Sequence, residues 1–287
     1  SPYEVLDSSD DKTFAAGPWG CTDNYFGPYT VSNSTSSGQF NMLQGTAFSV
    51  NTYFVGLEQL AGLCRTVDIA KRTGMTLANG GELPEVQSFT LGSVEVSPLA
   101  LATSYATMAN HGVYCKPHAI TRIVDENDEN KKVVAKVEPQ CTEAVSREVA
   151  DSVTAILTHV VDGGIGGRTG AAMTLGRDAT GKTGTTDTSA AVWFAGYTPE
   201  LAAAVWVGDP RGGFQYPMKN VYINGSYYGQ VFGSSLPGPI WKDAMLGALA
   251  ETPATSFELQ TMFGLGTARG GNSYVPPVTT PTPVPTP

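Results

Sequence analysis

Long apolar runs are missing from this sequence. None approaches the roughly 18 consecutive residues that a membrane-spanning helix needs. Basic charge is scarce: 17 lysines and arginines stand against 26 aspartates and glutamates, a net charge of −9, which argues against a nucleic-acid surface. Histidine is rare, with only His111, His118 and His159, and no two cysteines form a C-x-x-C pair, so no zinc-ligand spacing is present and no metal is implied. Residues 1–11 are polar and acidic, unlike the basic-then-apolar pattern of a secretory leader. What is there is a 287-residue chain with 41% hydrophobic residues, enough for one good core and an appendage.

The four cysteines, Cys21, Cys64, Cys115 and Cys141, suit an extracytoplasmic, disulfide-permissive setting, with free buried thiols as the alternative. Three pairings are possible. Cys115–Cys141 is favoured because the two would stand at the ends of one small excursion, residues 114–140, which leaves Cys21–Cys64.

The chain is organised around Thr180-Gly181-Lys182-Thr183-Gly184-Thr185-Thr186. A cation flanked by glycines and followed by hydroxyls suits an anionic ligand at an edge strand, with Gly184 letting another backbone come close. Gly176, four residues and then Gly181-Lys182-Thr183 also fit the phosphate loop of a P-loop NTPase. That motif needs a hydrophobic strand before it and a helix starting at the lysine. Residues 171–175 are only weakly strand-like, and residues 184–189 make a poor first two helical turns.

The other reading places Lys182-Thr183-Gly184 on a strand and pairs it with Ser49-Val50-Asn51 as a Ser-x-Asn element. Further phrases agree in order: Phe48-Ser49-Val50-Asn51-Thr52-Tyr53-Phe54, Gly92-Ser93-Val94-Glu95-Val96-Ser97-Pro98, Ala106-Thr107-Met108-Ala109-Asn110-His111-Gly112 and Trp193-Phe194-Ala195-Gly196-Tyr197-Thr198-Pro199. From about Leu43 to Leu249 the sequence resembles the transpeptidase domain of bifunctional, class A penicillin-binding proteins of actinobacterial type. The resemblance implies an α+β fold, an antiparallel sheet flanked by helices and incomplete in this chain. It implies acyl transfer through a serine ester, with peptidoglycan stem peptides as substrates, β-lactams as inhibitors and no cofactor. Ser49 would relay a proton to the leaving amine, and Asn51 would orient the substrate amide. Lys182 would hold the field positive, and Thr183, Gly184 and Thr185 would bind the substrate, the two hydroxyls taking its carboxylate. The site would face the outside of the cell membrane, with the anchor outside this chain.

The nucleophile is absent from the pattern. The one Ser-x-x-Lys string, Ser9-Asp10-Asp11-Lys12, lies in a polar segment only 40 residues before Ser49. Two neighbouring aspartates would keep its lysine protonated and unable to act as a base. The expectation is a C-terminal portion of a longer protein, inactive alone and completed by its upstream part, with an unpaired sheet edge where that part is missing. Alternatives are a D,D-carboxypeptidase, a β-lactamase, or a non-catalytic penicillin-binding-like sensor or scaffold.

The expected division is a loop-rich lead-in of the transpeptidase domain over 1–42, the C-terminal part of that domain over 43–252, and a linker and Pro/Thr-rich tail over 253–287. In the lead-in, irregular structure is packed by Trp19, Tyr25, Phe26 and Tyr29. Ser49 and Asn51 are two residues apart, about 200° round a helix, so a break is predicted at 48–52 if both face one cleft. Helices are predicted over 67–73, over 99–110 with a Leu99, Ala102, Ala106, Ala109 stripe, after Ser146 with Val149, Val153, Ile156, Leu157 and Val160 inward, and over 239–251. A hairpin is predicted over 119–137, and strands over 178–183, 190–197 and 202–208. Residues 163–170 read as a flexible connection and 209–235 as a long Gly/Tyr loop. The sequons at Asn33 and Asn224 read as polar loops.

Overall fold

The computed structural model describes residues 1–261, so all but the start of the linker and tail expected over 253–287 lies outside the described residues. The lead-in is more regular than its composition suggests. Strands β1 (Leu6–Ser8), β2 (Lys12–Phe14), β3 (Tyr29–Val31) and β4 (Gly38–Phe40) form two antiparallel pairs, β1 with β4 and β2 with β3. Three-residue strands are too short to show an alternating pattern in sequence. Trp19 is buried with Phe26 and Tyr29 against it, whereas Tyr25 is 76% exposed and packs nothing.

Helix α1 (Met42–Phe48) opens with a capping box, Asn41 and Gln44 each bonding the other's backbone N–H. The predicted break follows it. Ser49 adopts the left-handed conformation (φ 58°, ψ 55°), and α2 (Asn51–Ala61) starts after Val50. Gly62 (φ 100°) joins α2 to α3 (Leu63–Arg72). There a β-carbon on Gly20 would lie 2.7 Å from the Gly62 Cα, so two glycines let the lead-in touch the helix junction. Phe14, Trp19, Val31, Val55, Leu63 and Val67 form the core of this half, stapled by Cys21–Cys64.

Helix α4 (Pro98–Ala109) begins with Ser97 as N-cap and Pro98 at N1, as predicted. Its buried face is not the predicted one. Leu99 is exposed, and Ala100, Thr103 and Thr107 point inward. Each threonine hydroxyl donates to the carbonyl four residues back, Thr103 to Leu99 and Thr107 to Thr103, so both are buried satisfied. A pattern that counts only apolar residues misses such a face.

Strands β5 (Val113–Cys115) and β8 (Cys141–Glu143) pair at the base of an excursion whose tip is the predicted hairpin, β6 (Arg122–Val124) with β7 (Val133–Lys136). Cys115 faces Cys141 across this base and is bonded to it, so both expected disulfides are formed. Cys21–Cys64 closes a loop with sequence separation 43, and its removal is expected to lower global stability by about 4 kcal/mol. Removing Cys115–Cys141 should instead speed amide exchange over 116–140 with little change in the melting midpoint, because that excursion is exposed on most of its surface. Thermal melts and hydrogen exchange on the paired Cys→Ser variants check both.

Helix α5 (Arg147–Val161) buries Ala150, Thr154, Ile156, Val160 and Val161, while Val149 is exposed. Strands β9 (Thr180–Thr185), β10 (Val192–Tyr197) and β11 (Ala202–Val207) form an antiparallel sheet in the order β11-β10-β9. Among the described residues β11 and β9 each have a strand on one side only. The expected 209–235 loop contains a second hairpin, β12 (Lys219–Ile223) with β13 (Ser226–Gln230), turning at Asn224-Gly225 with positive φ at both. Helix α6 (Pro237–Ala248) lays Trp241 on Phe194, with ring centroids 4.8 Å apart. Trp241, Met245 and Leu249 complete the second core, whereas Ile240 and Leu246 face solvent.

The linker expected from residue 253 is tied down over its first residues. Glu200, Asp178 and the buried Asp151 accept the backbone N–H of Thr255 (2.7 Å), Phe257 (3.1 Å) and Gln260 (2.7 Å), and Phe257 packs edge-on against Tyr197. Three carboxylates thus do for this segment what a strand partner would.

One buried charge stands apart from these ties. Glu58 on α2 takes a hydrogen bond from the Thr90 N–H (3.2 Å), and burial pushes its carboxyl up to about 7. A folded-state value raised above the unfolded one stabilises below the unfolded range and is lost as pH rises through 7. Glu58→Gln should therefore match the parent near pH 4 and exceed it by about 2 kcal/mol above pH 7, read from denaturant midpoints across pH.

Candidate active site

The site lies where α1 and β9 meet. The left-handed turn at Ser49 ends α1 and turns the side chain out of the helix path. Period-two alternation on β9 then brings Lys182 to it. The Lys182 Nζ donates to the Ser49 Oγ at 2.6 Å, to the Thr183 carbonyl at 2.8 Å and, more weakly, to the Thr183 hydroxyl at 3.4 Å. None of the ion pairs among the described residues involves Lys182. Burial without an acidic partner lowers its ammonium to about 8.

This pair can move protons. A Lys182 ammonium that donates to the Ser49 oxygen leaves the serine's own proton to point elsewhere, toward a third atom. Near pH 8 the amine form is also populated, so a proton can pass in either direction.

The other predicted site residues separate into two groups. The Thr183 hydroxyl turns inward and donates to the Thr169 hydroxyl at 3.0 Å, while the Thr169 N–H bonds the Ala47 carbonyl at 3.0 Å. Thr169 therefore fastens β9 to α1 beside the Ser49–Lys182 bond, through the same Thr183 hydroxyl that lies 3.4 Å from the Lys182 Nζ. The Thr185 side is exposed, and its oxygen accepts the Gly233 N–H at 3.0 Å, which leaves its own proton available to a ligand. Gly184 lies between them, beneath Gly233: a β-carbon on residue 233 would come within 2.9 Å of both the Gly184 nitrogen and oxygen. Asn51 is the first residue of α2, its Nδ2 donating to the Ser32 carbonyl at 2.9 Å, and it bonds neither Ser49 nor Lys182.

The Ser9-x-x-Lys12 string is a turn between β1 and β2. Ser9 and Lys12 both bond Asp7, Lys12 also pairing with its carboxylate at 3.5 Å. The P-loop reading is overturned: Lys182 sits mid-strand, in register with Ala195 of β10, and no helix starts there. Thr169, Ser32, Asn33 and Gly233 were not legible as site residues. Each lies in a stretch rich in Gly, Ser or Asn, and only their positions in space give them a role.

The penicillin-binding protein transpeptidase domain model matches residues 7–216. The chain belongs to the penicillin-binding protein transpeptidase family. It is 34% identical over 222 residues to penicillin-binding protein 1A of Aquifex aeolicus, covering 77% of this chain and 27% of the relative. It is 32% identical over 244 residues to penicillin-binding protein 1A of Mycobacterium tuberculosis, covering 79% and 28%. The chain thus spans about a quarter of the length of these relatives. Among solved structures, the penicillin-binding protein PonA1 of M. tuberculosis superposes with a TM-score of 0.66 at 26% identity, covering 93% of this chain and 69% of that one. Penicillin-binding protein 1A of Haemophilus influenzae shares the fold, with a TM-score of 0.68 at 20% identity, over 100% and 46%. The match starts within β1 and so takes in the lead-in strands. The α+β architecture expected from sequence is that of this penicillin-binding protein family.

Proposed function

We propose that this chain supplies the proton relay and the substrate clamp of a peptidoglycan D,D-transpeptidase. The nucleophile would come from a Ser-x-x-Lys segment outside it. The observation that carries the reading is the 2.6 Å bond from Lys182 to Ser49 at the open side of β9. An extended stem peptide can add along that side as a further strand, which places its terminal carboxylate toward Thr185 and the cation. The nucleophilic serine gives its proton to the lysine of its own Ser-x-x-Lys segment and attacks the carbonyl carbon of the penultimate D-alanine, and the bond to the terminal D-alanine nitrogen breaks. Ser49 passes a proton to that leaving amine and is reprotonated through Lys182. A stem-peptide amine then attacks the serine ester, the cross-link forms and the serine is released. β-Lactams would acylate the same serine.

The formed disulfides support an extracytoplasmic site, with the membrane anchor outside this chain. Among the described residues no helix is long and apolar enough to cross a membrane. The free side of β11 supports an added strand from the upstream part.

The test is to supply a stem peptide ending in D-Ala-D-Ala with an amine acceptor to the chain joined to its upstream part. Cross-linked product with released D-alanine supports the transpeptidase. Release with water as the only acceptor makes it a carboxypeptidase, and no release at all makes it a sensor or scaffold.

A further inference from the structure

Ser49 holds a left-handed backbone that costs a residue with a β-carbon about 1 kcal/mol or more, and the last turn of α1 offsets that cost on one side, the Val50 N–H bonding the Gly45 carbonyl at 2.9 Å. Helix α2 begins next to it without a side-chain cap of its own, since its N-cap is Val50. The cap comes from another part of the chain. The Asn33 Oδ1 accepts the Thr52 N–H at 3.0 Å and faces the Thr52 hydroxyl at 3.1 Å. Its Nδ2 donates to the Ser8 carbonyl and to the Thr52 hydroxyl, both at 3.0 Å.

The residues beside Asn33 join in. The Ser32 carbonyl takes the Asn51 amide, and the Thr35 hydroxyl donates to the Ser49 carbonyl at 3.4 Å. This segment is itself anchored by the two aspartates of the Ser9-x-x-Lys12 string. Asp10 accepts the Asn33 N–H at 2.6 Å, and Asp11 accepts the Ser32 hydroxyl at 2.5 Å.

We propose that Asn33 is a positioning residue of the transpeptidase site, a remote N-cap that fixes the Ser49–Asn51 junction by tying the start of α2 to the β1–β2 turn. The inference rests on the transpeptidase reading above. It also assigns Asp10 and Asp11 a role, as the footing of this cap. Asn33 touches no reacting atom. It acts by holding the junction that keeps Ser49 on Lys182 and the Asn51 amide on the Ser32 carbonyl, and in a reacting site a displacement of about 1 Å can cost a hundredfold in rate.

The test measures acylation by a labelled penicillin of the chain joined to its upstream part, for the parent, Asn33→Ala and Asn33→Asp, below each melting temperature. Alanine is expected to slow the acylation step about 10- to 100-fold with a much smaller change in the non-covalent binding constant. Aspartate keeps the oxygen that caps Thr52 but sets its second oxygen against the Ser8 carbonyl, so it should recover part of that loss. In the 287-residue chain alone, alanine should shift the Asn51 side-chain amide resonances, which reports the same displacement without any acylation. Alanine acylated within about twofold of the parent, or an unmoved Asn51 amide, overturns the positioning role. Equal slowing in both variants that tracks only the folded fraction also overturns it, in favour of plain stability. If alanine does not fold, the comparison of aspartate with the parent decides: slowing of less than about tenfold with an Asn51 amide near the parent's supports the cap, and a loss approaching about a hundredfold contradicts it. A parent that takes no label, with its Asn51 amide still moved by alanine, removes the transpeptidase reading and leaves the cap geometry standing.

Discussion

Lys182→Met is expected to stabilise the protein by about 2 kcal/mol at pH 7 while slowing penicillin acylation of the completed enzyme by at least about a thousandfold. The stability effect comes from burial of the charge. Burial without a carboxylate partner lowers the Lys182 ammonium from 10.5 to about 8, so below pH 8 the fold carries a charge that the unfolded chain keeps in water. Between pH 8 and 10.5 the unfolded state binds more protons than the folded one, and stability rises with pH. The stability gap between the Lys182→Met variant and the parent should therefore be constant below pH 8, shrink above it, and close near 10.5. Subtracting the two denaturation curves at each pH removes the titration of every other group. A gap of zero at pH 7, or one that widens above pH 8, would contradict a part-buried ammonium with no acidic partner. The rate loss follows because methionine cannot hydrogen-bond Ser49 or place positive charge beside the leaving amine.

Gly233→Ala is expected to cost roughly 1–3 kcal/mol of stability and to slow acylation strongly, although residue 233 carries no side chain to lose. An added β-carbon would lie 2.5 Å from the Trp193 carbonyl oxygen and 2.9 Å from the Gly184 nitrogen and oxygen. All three are backbone atoms of paired strands, so no flexible side chain can yield. Either β9 or the 231–235 segment must move, and each movement breaks the Gly233 N–H bond that fixes the Thr185 hydroxyl. A ligand carboxylate then meets a freely rotating threonine. Gly225→Ala is the control, since nothing lies within 4 Å of its β-carbon, although its φ of +80° strains any side chain. If Gly233→Ala binds and reacts like that control, the segment does not position Thr185.

What the sequence disclosed followed from how local each feature is. The break between Ser49 and Asn51 was legible because two residues cannot share one helical face at a spacing of two. The strand at Lys182 was legible because Gly184, Thr185 and Thr186 make a poor helix start. The pairing of Cys115 with Cys141 was legible because an excursion must close on itself. The α4 face was misread because threonines that bond their own helix carbonyls bury as well as alanine. The four lead-in strands and the β12–β13 hairpin were hidden by shortness and by Gly, Asn and Tyr, whose turn chemistry dominates the composition. Within the site, the residues that carry charge or hydroxyls toward a ligand stood out as motifs. Those that hold them do so through backbone atoms, as Ser32, Gly233 and Ala47 do, or from a segment read as loop, as Asn33 and Thr169 do, and a backbone carbonyl leaves no mark in a sequence.

The most direct measurement of the central claim is intact mass and peptide mapping after incubation with a labelled penicillin, for the 287-residue chain alone and for the chain joined to its upstream part. The account predicts no adduct on the chain alone. In the joined protein it predicts one adduct, on a serine of the upstream part, and loss of that adduct in Lys182→Met. An adduct on Ser9 or Ser49 of the chain alone would contradict it, because the nucleophile would then lie inside this chain and Ser49 would have to be more than a relay.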